Sequence, residues 1–159
     1  MRAVKKVKIR WEGEKSVVEN AAGKLPDLAR GFFAAGRELE GSEPPLEDLH
    51  NFRLLTKRFR YTLEQFRHCY GPGLGQRIDA LRKLQQYLGE ISDCATTSDL
   101  LDRRTDLSKP LRLRLQRRMK ELAAARVANF RRHWKKEFPP RRERWWMDYL
   151  GRFARWRGL

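Results

Sequence analysis

The chain has 159 residues, one domain's length, and 36 Lys and Arg against 20 Asp and Glu give it a formal charge of +16. That excess argues against a neutral metabolite as the main ligand and for a polyanion: nucleic acid, an anionic membrane surface or a phosphate polymer. At 40% hydrophobic the chain is no disordered tail, and its longest apolar run, four residues, is far too short to cross a membrane.

The pattern predicts an all-α antiparallel bundle of about five to six helices with short loops. Residues 1–14 read as a basic N-terminal arm, although Val7, Ile9 and Trp11 alternate with Lys8 and Arg10 as in a short strand. The arm lacks the apolar stretch of a signal peptide. Residues 15–159 read as the helical domain. Ser16 and Glu19 form a capping box for a first helix reaching about Glu40, with a break or late start expected at Gly23 and Pro26.

A second helix is expected from Pro45 to about Tyr70. Phe52, Leu55, Phe59, Leu63, Phe66 and Tyr70 fall within roughly 80° of its circumference, a core stripe. A third is expected from about Gln76 to Leu88 on Ile78, Leu81, Leu84 and Leu88, stopped by Gly89. A short fourth falls within Cys94 to Asp102. Ser108 and Pro110 open a long fifth helix, with Leu111, Leu115, Met119, Leu122, Phe130 and Trp134 as its apolar side. Pro139 and Pro140 break it before a sixth, about Arg141 to Trp156. Cys69 and Cys94 have no motif around them and read as free thiols of a reducing, cytoplasmic compartment.

Opposite the second helix's core stripe lie His50, Arg53, Lys57, Tyr61 and Glu64, with Arg60 at the edge. Like charges on one ridge repel one another by a few tenths of a kcal/mol per pair. An anion lying along them would reverse the sign, and a solvated face is the alternative. The fifth helix repeats the arrangement with Arg114, Arg118 and Arg132 behind its apolar side. Residues 107–159 carry 17 basic and 4 acidic groups, most of the net charge. Trp145, Trp146, Tyr149, Phe153 and Trp156 alternate with arginines there. Such a mixture stacks nucleobases or anchors an interface. No dinucleotide fingerprint, P-loop, paired carboxylates or His/Cys ligand spacing is present, which argues against catalysis and against a metal or other cofactor.

The segment 49–66, with His50, Arg53, Lys57-Arg58-Phe59-Arg60, Tyr61 and Glu64, resembles the signature helix of the CHAD family, the conserved-histidine α-helical domains. Leu84-Gln85, Leu88-Gly89 and Asp93 in 81–93 are similar to the family's second motif. The resemblance implies a non-enzymatic module that binds inorganic polyphosphate through basic helices. It points to His50, Arg53, Lys57, Arg58 and Arg60, then Arg82 and Lys83, with Tyr61, Arg114, Arg118 and Arg132 as additional contacts. His50 reads either as a phosphate ligand or as a neutral tie between two helices. Family members commonly have two bundles in about twice this length. The single signature helix here therefore predicts a homodimer, anchored by the aromatic residues of the last helix. The location implied is cytoplasmic, with association to polyphosphate granules. The alternatives are a nucleic-acid binder using the basic, Trp-rich C-terminal third, and an enzyme acting on polyphosphate or a nucleotide.

Overall fold

The computed structural model describes residues 10–152. Five α-helices form an all-α bundle: α1 Val17–Glu40, α2 Leu46–Gln65, α3 Gly73–Arg103, α4 Lys109–Glu137 and α5 Pro140–Arg152, with a 3-10 turn at Arg67–Cys69 after α2. The expected alternation at Val7 and Ile9, and the C-terminal Phe153 and Trp156, lie outside the described residues.

The capping box opens α1 as expected. The Glu19 amide donates to Ser16 Oγ at 3.2 Å, and the Ser16 amide donates to Glu19 Oε2 at 2.8 Å. The expected break does not occur, and α1 runs through Gly23 and Pro26. A proline inside a helix costs about 3 kcal/mol. Leu25, Ala29, Phe32 and Phe33, all fully buried on one face of α1, bury enough apolar surface to exceed that. Phe32 sits at the centre of the core, its ring within 5.3–5.6 Å of Phe52, Phe59, Trp134 and Phe138. Gly36 is obligatory for this packing, since a Cβ there would overlap the Trp134 indole.

α2 starts after Pro45, with Glu47 and Asp48 in its first turn, where acidic groups favour the helix dipole. It ends sooner than expected, at Gln65, because the 3-10 turn carries the chain to Tyr70. The Tyr70 hydroxyl donates to the Leu150 carbonyl at 2.7 Å and ties this corner to α5. A second correction concerns α3, which continues through Gly89 as one helix of 31 residues where two were expected. An interior glycine costs roughly 0.5–1 kcal/mol. The core stripe Ile78, Leu81, Leu84, Leu88, Ile91 and Cys94 passes it without a change of register, every member buried.

Neighbouring helices run antiparallel. Glu64 of α2 meets Arg82 of α3, Glu90 of α3 meets Arg126 of α4, and Arg37 of α1 meets Glu143 of α5. At 1.5 Å per residue α3 and α4 are each about 45 Å long, longer than α1, α2 or α5. The start of α2 borders α3 as far as Asp99, and beyond it the ends of α3 and α4 form a hairpin packed on each other. The expected apolar side of α4 is buried only at its C-terminal end, at Phe130 and Trp134. Leu115, Met119 and Leu122 are half-buried, and Leu111 is 43% exposed.

Candidate functional site: the groove between α2 and α3

With Phe52, Phe59 and Leu63 turned into the core, the opposite arc of α2 is set by helical geometry alone. It borders α3. Arg53 is half-buried, and its Nε is out of solvent with no hydrogen-bond partner. A Cβ built on Gly89 of α3 would stand 4.0 Å from that nitrogen. Gly89 is therefore the point of α3 that faces the Arg53 side chain, a placement that its reading as a helix terminator missed. The signal was present in the seven-residue spacing from Arg82, which places both on one side of α3.

One turn along α2, Lys57 lies exposed with its ammonium 5.7 Å from the Tyr61 ring centre. The Arg60 guanidinium lies 4.4 Å over the same ring and donates to Glu64 Oε1 at 2.7 Å. That oxygen also accepts from Arg82 Nη2 at 3.0 Å, while Arg82 Nη1 pairs with Asp79 at 2.9 Å. Glu64 thus joins the cations of two helices, a role not expected from the sequence. Arg53 and Lys57 differ from Arg60 and Arg82: neither has a carboxylate partner among the described residues.

His50 is exposed and makes no hydrogen bond, so it does not tie two helices together. It lines a cleft of about 400 Å³ between the start of α2 and Leu88, Ile91 and Asp99 of α3. His50, Arg53, Lys57, Arg60 and Tyr61 therefore share one arc of α2, which meets α3 where Arg53 faces Gly89 and where Glu64 pairs with Arg82. Arg58 does not join them, because one residue beyond Lys57 it points roughly 100° away. Lys83 is exposed on the α4 side of α3. There it helps, with Lys136, to hold the buried His133 imidazole below its ordinary value, burial being the main cause. Arg114, Arg118 and Arg132 are exposed on α4, which packs along α3 and meets α2 through Phe130 and Trp134 against Phe52. Arg118 lies 3.5 Å from Glu121. Trp134 and Trp146 are core residues, which leaves Trp145 as the exposed tryptophan of α5.

Among the described residues no group of three His, Cys, Asp or Glu side chains could hold a metal ion. No described helix is long and apolar enough to cross a membrane. No curated protein and no solved structure matched the chain. The model of the CHAD domain matches residues 7–102, which contain α1, α2, nearly all of α3 and both sides of the groove. That match spans more than half of the sequence, and the chain belongs to the CHAD domain family.

Proposed function

We propose that the chain binds inorganic polyphosphate, without catalysis, along the α2–α3 groove. The observation that supports this best is Arg53. A guanidinium held half-buried with an unsatisfied Nε and no carboxylate is costly unless an anion completes it. Lys57 continues the line of uncompensated charge, and Arg60, Arg82 and His50 flank it. A phosphate chain offers single charges at regular spacing and no bases, so cations along a helix ridge recognise it without a groove-reading element. Arg58, Lys83, Arg114, Arg118 and Arg132 add to the long-range field around the groove. This reading places the protein in the cytoplasm, at polyphosphate deposits.

The decisive experiment pairs Arg53→Ala with Lys57→Ala. The double variant is expected to bind long polyphosphate at least about tenfold more weakly while its helicity and melting stay close to wild type, since neither side chain fills the core. Phe59→Ala is expected to destabilise the bundle by about 3–5 kcal/mol. Unchanged binding in the double variant would remove the groove as the site. RNA at equal phosphate concentration is the comparison that separates this reading from a nucleic-acid binder: polyphosphate should be the stronger competitor.

A symmetric dimer is part of the proposal. Trp146 is consumed by the chain's own core, so the anchors shift to the α3–α4 hairpin, where Leu100, Leu111 and Leu113 are 58%, 43% and 56% exposed. The second half of α3 carries Glu90, Asp93, Asp99 and Asp102, whereas α4 opens with Arg112, Arg114, Arg117 and Arg118. Two hairpins packed antiparallel would set acidic α3 against basic α4.

A further inference from the structure

Roughly 140° around α3 from Arg82, on the side facing α5, Arg77 is buried to 2% exposure. Its guanidinium is clamped between two rings, 3.9 Å from the centre of Trp145 and 3.7 Å from that of Tyr149. Nη1 donates to the Gly73 carbonyl at 2.9 Å and Nη2 to the Trp145 carbonyl at 3.4 Å, and the buried Nε has no partner. Burial pushes the guanidinium down to about 10, still protonated at neutral pH, and among the described residues no carboxylate neutralises it. Arg77 was legible as unusual, since it lies between Leu74 and Leu81 at core spacing.

Arg77 forms part of the wall of a cleft of about 440 Å³, lined also by Gln76, Arg141, Arg142, Trp145 and Trp146. That volume lies within the roughly 300–1,000 Å³ usual for small-molecule sites. Arg141 and Arg142 occupy the first turn of α5, where the helix dipole disfavours cations and favours an anion. Arg142 is held by Glu137 at 2.8 Å, while Arg141 is exposed with no partner. Trp145, four residues beyond Arg141, lies on the same face of α5 and is 51% exposed. The guanidinium behind it fixes the indole plane, so its outer face is presented without further ordering cost.

We propose that this cleft binds a nucleoside polyphosphate, with the phosphates on Arg141 and Arg142 beside the buried charge of Arg77 and the base on the outer face of Trp145. The site is separate from the α2–α3 groove and does not depend on the polyphosphate reading. An inorganic phosphate chain would use the arginines and gain nothing from the indole, which is what selects a ligand with an aromatic base.

Calorimetric titration of the full chain with ATP and with inorganic tripolyphosphate tests this. Trp145→Ala is expected to weaken ATP binding by roughly tenfold, the loss of one base-stacking partner, and to leave tripolyphosphate binding unchanged. Arg141→Ala should weaken both, and the Arg53→Ala, Lys57→Ala double variant should leave ATP binding intact. Thermal melts of each variant confirm that it is folded. Absence of saturable ATP binding at millimolar concentration, or equal ATP affinity in wild type and folded Trp145→Ala, would overturn the proposal.

Discussion

Two glycines that look alike in the sequence have opposite local roles. Gly36→Ala would drive a methyl into the Trp134 ring at the centre of the core, and a melting temperature well below wild type is expected, equivalent to about 1–3 kcal/mol or more of overpacking. Gly89→Ala meets Arg53 at ordinary contact distance, so it should stabilise the helix by about 0.5–1 kcal/mol in a denaturant titration and leave anion binding intact. Gly89→Leu would fill the space that Arg53 occupies, and its polyphosphate affinity should fall to that of Arg53→Ala. His133 provides a pH-dependent counterpart. Its ring stacks on Tyr87 at 4.5 Å, its Nε2 has no partner, and burial, aided by Lys83 and Lys136 against the opposing Glu137, holds it below the ordinary 6.5. The unfolded chain therefore takes up the proton first. This contribution is complete above about pH 6.5 and is lost as pH falls through the lowered folded value. His133→Gln should flatten that part of the stability–pH profile measured by chemical denaturation.

At the scale of elements, the unequal helix lengths matter most. α3 and α4 share the bundle core only over Leu74–Ile91 and Phe130–Phe138; the start of α2 still borders α3 as far as Asp99, and beyond that the two helices have only each other. Helices held on one side unfold locally at lower free energy than those surrounded by the core. Amide hydrogen exchange should therefore be slowest in α1 and the first half of α3, and faster in residues 97–120. Protection should run unbroken through Gly89. A fast-exchanging gap there would show two helices where the structure has one.

For the whole molecule, charge decides how the proposed binding responds to conditions. If six to eight cations engage polyphosphate, the affinity should fall with salt at a log–log slope of roughly −4 to −6, taking about −0.7 per contact. A slope near −1 would assign the groove to solvent. The proposed dimer is opposed by +16 on each chain and should weaken at low salt, where repulsion is least screened. Light scattering at physiological salt should give twice the 18.9 kDa chain mass. Leu111→Ser with Leu113→Ser should return it to one chain. A wild-type protein already at one chain mass would show that a single bundle suffices.

The sequence by itself determined the helical class, the capping box at Ser16, the core face of α2 and the polar ridge behind it. Each is written in residues three or four apart, and a helix converts that spacing directly into a face. It did not determine where helices stop. Pro26 and Gly89 disfavour a helix locally, and both were overruled because Phe32 on α1 and Ile91 on α3 find partners on other helices. Nor could spacing divide the arginines into kinds. Arg60 and Arg82 share Glu64, Arg53 is left without a carboxylate beside Gly89, and Arg77 is buried between Trp145 and Tyr149. Those fates depend on which helix lies alongside, and a charge pair across 18 residues of sequence or a hydrogen bond across 68 is decided only when tertiary packing brings the partners within reach.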